Sequence, residues 1–166
     1  MQSKSFSSEE DIRHSSPSAL LAHERPVEIL LVNDSPADLR LIQEVLKGAN
    51  GRTHLYAVWD GEEALTFLRQ EGPYAGVARP HLILLDLNLP RKNGWAVLTT
   101  IKSDPELKRI PVVVFTTSEA EQDIRQVYEL GANCYVHKPI GLEPFLRMVQ
   151  PLMELWLTHG RLPSAE

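Results

Sequence analysis

The feature that most constrains this chain is a regular alternation between short apolar segments and longer amphipathic segments, which begins at Val27. The apolar segments are 27–32 (VEILLV), 53–58 (THLYAV), 82–85 (LILL), 112–115 (VVVF) and 133–136 (NCYV). The first, third and fourth lack the polar–apolar alternation of half-exposed strands, which is typical of parallel strands covered on both faces. The second is more mixed in polarity, which fits an edge strand.

Each apolar segment is followed by a stretch with helical periodicity, and most of these stretches begin with a capping residue. Ser35, Asp60, Asn93 and Ser118 are the predicted caps of the first four helices. Pro151 lies inside the fifth and is expected to kink or break it. Five strands alternating with five helices predict an α/β fold, a doubly wound parallel sheet of five strands with the order 2-1-3-4-5.

Composition limits the class of protein further. The net charge is −5, from 17 basic and 22 acidic side chains, which argues against nucleic-acid binding. The sequence has no secretory signal and no apolar run of about 18 residues, the length that spans a membrane. The single cysteine, Cys134, excludes an internal disulfide and fits a reducing compartment, so we expect a cytoplasmic protein.

The chain divides into three parts by composition. Residues 1–26 are polar and rich in serine, so we expect a flexible N-terminal tail. Residues 27–157 form the predicted domain, and residues 158–166 form a short C-terminal tail. About ten residues follow Trp156, too few for an output domain, so we expect a stand-alone domain.

Polar side chains follow four of the predicted strands at the point where each strand ends. They are Asn33 and Asp34, then Asp86, Thr116 and Lys138. The carboxyl ends of parallel strands meet at one edge of the sheet, where such folds bind ligands. Two close carboxylates favour a hard cation such as Mg²⁺, whereas an ammonium and a hydroxyl favour an anion such as phosphate. The set predicts phosphoryl transfer to an aspartate.

The stretches LLVNDSPAD, LLDLNLPRKNGW, PVVVFTTSEA and CYVHKPI resemble the receiver domains of two-component response regulators in residue type, order and spacing. The resemblance covers about residues 27–157 and implies the flavodoxin-like receiver fold. It implies a phosphoprotein, not an enzyme, in which Asp86 accepts phosphate from a phosphohistidine of a sensor histidine kinase. The long loop before LILLDLNLP and the ending FLRMVQPLMELWLTHGRLP are similar to single-domain regulators paired with bacterial phytochromes.

The same resemblance implies a metal site and a phosphate contact. Mg²⁺ would be held by Asp34, Asp86 and the backbone carbonyl of Asn88. Lys138 would contact the phosphoryl group, and its peptide bond to Pro139 would be cis.

The resemblance also implies a switch. Thr116 would hydrogen-bond the new phosphate, and Tyr135 would report this by moving between outward and inward rotamers. That movement would shift a two-state equilibrium of the surface around the last strands and helices. The alternative for Tyr135 is a static, half-buried aromatic side chain.

One position departs from the family pattern of two adjacent acids after the first strand, because the first position is Asn33. An asparagine can hold a metal-bound water through its amide oxygen, but it removes one negative charge. One charge is worth on the order of a few kcal/mol with a divalent ion at an effective dielectric of about 20, before solvent screening. We therefore expect weaker Mg²⁺ binding than at a two-acid site, and slower phosphorylation or dephosphorylation.

Two other functions stay open at this point. Phosphatases of the haloacid dehalogenase kind also use an aspartate nucleophile, but they require a second Asp two positions later, where this chain has Asn88. A receiver-like docking module that takes no phosphate is favoured by Asn33, whereas Asp86, Thr116 and Lys138 oppose it. Taken singly, the acids after the strands are also compatible with helix caps.

The C-terminal segment suggests how a stand-alone domain signals. Its output must be a changed surface, recognised by a second copy or by a downstream protein that the sequence does not identify. Apolar side chains at 152, 153, 155, 156 and 157 are too many to face one core from one helix. We therefore expect a homodimer through the face of the fourth and fifth helices, extended by Met153–Leu157.

Overall fold

The structure, a computed structural model, describes residues 25–48, 53–89, 91 and 93–164. Its five strands form a single sheet in the order β2-β1-β3-β4-β5, and all neighbouring strands are parallel. The strands are β1 (Val27–Val32), β2 (Thr53–Val58), β3 (Leu82–Asp86), β4 (Val112–Thr116) and β5 (Cys134–His137). The predicted fold class and strand order are confirmed.

Five α-helices lie against the sheet in the described part of the chain. They are α1 (Pro36–Lys47), α2 (Gly61–Leu68), α3 (Gly94–Ser103), α4 (Glu121–Glu129) and α5 (Leu142–Glu154). A short 3₁₀ helix, Gly72–Tyr74, lies in the long loop before β3, and a π-helical turn, Leu155–His159, follows α5. None of these helices is both long and apolar enough to cross a membrane.

The helices cover the sheet on both faces. Buried side chains of α2, α3 and α4 pack on one face, and those of α1 and α5 pack on the other. All residues of β3 and β4 are buried, as expected for strands enclosed between two helical layers. The polar ends of these strands therefore lie at the rim of the core.

Three of the predicted caps are confirmed. The side chain of Ser35 accepts a hydrogen bond from the N–H three residues later, and Asp60 and Asn93 do the same. The prediction for Ser118 is wrong, because α4 begins after Ala120, which has no capping side chain. The Ser118 hydroxyl instead donates to Asp123 and accepts from the N–H of Ala120. It therefore stabilises the first turn of α4 although Ser118 itself lies before the helix.

The boundaries of three strands differ from the prediction, and two of these strands end in site residues. β3 and β4 each extend one residue further and include Asp86 and Thr116. β5 begins at Cys134 rather than Asn133, whose side-chain oxygen accepts hydrogen bonds from the Val112 N–H and the Lys102 ammonium. Asn133 thus ties the start of β5 to its neighbours through its side chain.

β5 is the last strand at one edge of the sheet. The N–H of Tyr135 points away from β4 and donates to the Tyr128 hydroxyl at 3.1 Å. A side chain of α4 therefore occupies one backbone N–H on the unpaired side of this strand.

The C-terminal end of the domain bears on two expectations. α5 is not broken at Pro151 but continues to Glu154 before the π-helical turn begins. Met153 is buried, and Leu152, Trp156 and Leu157 are partly buried against the same core. Four of the five side chains thus share one core, and the prediction that all five cannot do so is not contradicted. The wider turn brings successive side chains to one side, and only Leu155 is exposed. The homodimer stays a prediction. Most of the predicted tail, residues 1–24, lies outside the described residues.

Candidate functional site

The carboxyl ends of the strands converge on Asp86, which is the last residue of the central strand β3. Asn33 and Asp34 follow β1 on one side of it, and Thr116 ends β4 on the other. The chain after β5 brings the Lys138 ammonium to 3.4 Å from Oδ2 of Asp86. Residues far apart in sequence therefore meet at one crevice, as the apolar segments predict.

Asp86 is a nearly buried carboxylate with few hydrogen-bond partners. Its Oδ1 accepts the backbone N–H of Asn88 at 2.9 Å, and its Oδ2 faces Lys138. Burial raises the pKa of Asp86 and the charge of Asp34 raises it further, against the opposing effect of the Asn88 N–H and Lys138. The carboxylate is thus incompletely stabilised, which suits a group that binds a cation or attacks phosphorus.

Lys138 is shared between two carboxylates. Its ammonium forms a close ion pair with Oδ2 of Asp38, in addition to the longer contact with Asp86. Burial lowers the pKa of Lys138, but the hydrogen bond to Asp38 and the charge of Asp86 outweigh it, so this pKa lies above its usual value. Lys138 is therefore charged at neutral pH and held in place.

Asp38 is the site residue that sequence reasoning missed. The sequence marks it only as an acid in the first turn of α1, where acids favour the helix N-terminus. The available signal was its position four residues after Asp34, in a helix that begins at the same edge of the sheet.

Asn33 is buried, and its amide group is fully oriented by hydrogen bonds. Its oxygen accepts the N–H of Ser35 at 2.8 Å, and its NH₂ group donates to Oδ2 of Asp38 at 3.0 Å. An aspartate at this position has no proton to donate to Asp38 at neutral pH. Asn33 therefore departs from the two-acid pattern, and its amide donates a hydrogen bond to Asp38, an acid in the first turn of α1.

Thr116 and Tyr135 are both connected to Ser118. The hydroxyl oxygen of buried Thr116 accepts the N–H of Ser118 at 3.1 Å, and the Tyr135 hydroxyl donates to the carbonyl of Ser118 at 2.6 Å. The two predicted switch residues therefore bind the N–H and the carbonyl of the same residue in the β4–α4 loop.

The backbone around Asp86 is fixed by close packing against α3. Gly94, the first residue of α3, has no room for a side chain, because a Cβ atom there would overlap the Asp86 carbonyl oxygen and the Leu87 backbone. Arg91, in the loop that follows β3, pairs with the carboxylate of Asp60 at the start of α2. The loop after Asp86 is thus tied to the neighbouring helix as well.

The predicted cis bond between Lys138 and Pro139 is wrong in this structure, which has no cis peptide bond among its described residues. The trans form of such a bond is favoured by about 0.5–1 kcal/mol unless its surroundings select the cis form. Lys138 reaches the crevice in the trans form.

The oxygen donors at the crevice fit a hard divalent cation. Asp34 and Asn88 are exposed beside Asp86, and Asp34 already acts on Asp86 as a like charge, which a cation would offset. No group of three or more His, Cys, Asp or Glu residues in the described ranges is arranged to hold a metal alone. A cation here would depend on two carboxylates, the Asn88 carbonyl and water, which suits Mg²⁺.

Comparison with known proteins identifies close relatives. The family described as the response regulator receiver domain matches residues 29–150. The response regulator Rcp1 of Synechocystis sp. is 51% identical over 140 residues, which are 84% of this chain and 95% of that protein.

Solved structures give the same result. The phosphorylated cyanobacterial phytochrome response regulator RcpA superimposes with a TM-score of 0.81 at 51% identity, covering 84% of this chain and 100% of that one. The Mn²⁺-bound form of Rcp1 gives the same TM-score, identity and coverage. Both the fold and the sequence of this chain are therefore similar to those of cyanobacterial phytochrome response regulators.

Proposed function

We propose, from the premise that this chain belongs to the response regulator receiver domain family, that it is a single-domain response regulator of phytochrome signalling. Asp86 would accept a phosphoryl group from a phosphohistidine of a sensor histidine kinase. The observation that carries the proposal is the placement of Asp86, nearly buried at the carboxyl end of the central strand, beside the ammonium of Lys138.

The reaction follows from the groups around Asp86. The carboxylate attacks the phosphorus atom, the phosphorus–nitrogen bond of the phosphohistidine breaks, and the imidazole nitrogen keeps the electron pair. Lys138 neutralises negative charge on the transferring oxygens. A Mg²⁺ ion held by Asp34, Asp86 and the Asn88 carbonyl would supply further positive charge at the same oxygens.

The readout would begin at Thr116. A phosphoryl group on Asp86 offers the Thr116 hydroxyl a charged acceptor, and turning toward it weakens the bond that this hydroxyl accepts from Ser118. Ser118 also holds the Tyr135 hydroxyl, so a shift of this loop changes the position of Tyr135. We propose that Thr116 and Tyr135 form the switch in this way.

The phosphorylated domain would signal through contacts of its surface with other proteins. We propose a phytochrome-type sensor histidine kinase as the phosphoryl donor and a cytoplasmic location. The output would be a homodimer through α4 and α5 or binding of an unidentified downstream protein, without nucleic acid, membrane or enzymatic turnover.

Incubation with Mg²⁺ and acetyl phosphate tests the proposal. We expect one phosphoryl group per chain by intact mass spectrometry, none in Asp86→Asn, and an unchanged yield in Glu44→Gln, which alters an exposed acid of α1. Rapid multiple turnover would indicate a phosphatase, and no reaction would indicate a docking module.

Phosphotransfer from purified histidine kinases tests the choice of partner. We expect a kinase with a phytochrome sensor to phosphorylate this chain faster than kinases with other sensors. Equal rates across kinases would contradict the phytochrome assignment and leave the chemistry at Asp86 unaffected.

A further inference from the structure

We propose that Asp38 is a positioning residue for Lys138, which it holds beside Asp86 while Asn33 holds Asp38. This inference rests on the phosphoryl transfer proposed above. It concerns a chain of three contacts that runs from Asn33 through Asp38 and Lys138 to Asp86.

The contacts of Asp38 are those of a buried structural group, although it lies on the first turn of a surface helix. Its Oδ2 accepts both the Asn33 amide at 3.0 Å and the Lys138 ammonium. The Asp38 and Lys138 side chains are only 13% and 18% exposed. At such a site an unpaired charge is costly, so each of the two groups depends on the other.

Capping of α1 does not explain this arrangement. The capping residue is Ser35, whose hydroxyl accepts the backbone N–H of Asp38. An acid that served only the positive end of the helix would need no contact with Lys138. The Asp38 carboxylate is instead turned toward the crevice.

The two ion pairs of Lys138 are unequal, and this has a chemical consequence. The ammonium is in close contact with Asp38, whereas its 3.4 Å distance to Asp86 is long for a charged hydrogen bond. Asp38 therefore keeps the ammonium near Asp86 without letting it occupy Oδ2 fully. Oδ2 stays accessible to a cation and to phosphorus.

Phosphorylation of Asp86 would make its contact with Lys138 stronger than the contact between Lys138 and Asp38. The phosphoryl oxygens on Asp86 bring additional negative charge to the Lys138 ammonium, which can then exchange Asp38 for the phosphoryl group. Without Asp38, the long contact with Asp86 alone would not hold the Lys138 ammonium in place. Its positive charge would then be uncompensated and would disfavour a cation at the same carboxylate.

The first test measures the position of Lys138 in the metal-free protein by NMR. A lysine ammonium gives a ¹H–¹⁵N cross-peak only when ion pairs slow the exchange of its protons with water. We expect this cross-peak, assigned with Lys138→Arg, in the wild type and in the control Glu44→Gln. We expect it to be lost in Asp38→Asn and retained in Asp38→Glu, which keeps the charge. Persistence in Asp38→Asn, or loss in Asp38→Glu, would overturn the proposal.

The second test measures the Mg²⁺ concentration for half-maximal binding by calorimetry and for half-maximal phosphorylation by acetyl phosphate. In Asp38→Asn we expect both to rise by about tenfold, the usual scale for groups that support metal ligands, with a smaller change in the maximal rate. Unchanged Mg²⁺ dependence would refute the role of Asp38. If the wild type accepts no phosphoryl group, the proposed function fails, while the cross-peak and the binding titration still decide the role of Asp38.

Discussion

Replacement of Asn33 by aspartate is expected to destabilise the metal-free protein and to make its stability depend on Mg²⁺. The Asn33 nitrogen lies 3.0 Å from Oδ2 of Asp38, so Asn33→Asp places two carboxylates in contact. Two like charges at this distance repel by about 5 kcal/mol at an effective dielectric of about 20. Lys138 offsets part of this repulsion, and we expect a net loss of about 2–3 kcal/mol in the free energy of unfolding.

Urea unfolding at pH 7, followed by tryptophan fluorescence, measures this loss. In EDTA we expect Asn33→Asp to unfold at lower urea than the wild type. In Mg²⁺ the difference should shrink, because the added charge binds the cation more tightly and binding stabilises the folded state. The difference should also shrink at acidic pH, because protonation of either carboxyl group removes the repulsion between them.

The matched control repeats the substitution in the Asp38→Asn background. There the new carboxylate faces an amide that can donate to it, so we expect little or no loss of stability in EDTA. Equal stability of Asn33→Asp and the wild type in EDTA would refute the reasoning, as would the same loss in both backgrounds. We also expect the wild type to bind Mg²⁺ more weakly than Asn33→Asp, which has two adjacent acids. Equal or tighter binding by the wild type would refute this expectation.

Three further predictions concern the folded state. Asp86→Asn should raise the free energy of unfolding at pH 7 without metal, because burial raises the pKa of Asp86 and its charged form opposes folding. Urea unfolding at lower pH should show the gain shrinking as the pH falls through this raised pKa and vanishing below the usual aspartate pKa of about 3.9, where this carboxyl is protonated in both states. Gly94→Ala should lose about 2 kcal/mol or more by thermal unfolding, since the Cβ overlaps backbone, whereas Gly76→Ala, with nothing within 4 Å, should lose none. Lys102→Met should lose about 2 kcal/mol by urea unfolding, because two backbone carbonyls lose the Lys102 ammonium as donor and the Asn133 side-chain oxygen keeps only the Val112 N–H. An unchanged midpoint would contradict this.

The parts of the site that lie at strand ends were predictable from sequence. Apolar runs reveal buried parallel strands, and parallel strands place their carboxyl ends together, so Asp86, Thr116 and Lys138 follow from the pattern alone. Their proximity needs no knowledge of side-chain conformation.

The contacts that depend on side-chain direction were not predictable. Asp38 has the same sequence signal as any acid in the first turn of a helix, and only the folded chain shows that it faces Lys138. Ser118 has the signal of a helix cap, but its hydroxyl pairs with Asp123 and its backbone binds the hydroxyl groups of Thr116 and Tyr135. Which of the apolar side chains at 152–157 is exposed was also not predictable, because helical periodicity does not reveal a π-helical turn.

The hydrogen bond between Tyr128 and β5 bears on whether another chain can pair with this edge of the sheet. An uncovered strand at the margin of a sheet is a template on which another chain can add by backbone pairing. The hydroxyl of Tyr128 accepts the Tyr135 N–H, a donor that an incoming strand would need, so it disfavours pairing with another chain. Loss of this one oxygen atom, as in Tyr128→Phe, would leave the fold intact and open that margin to self-association.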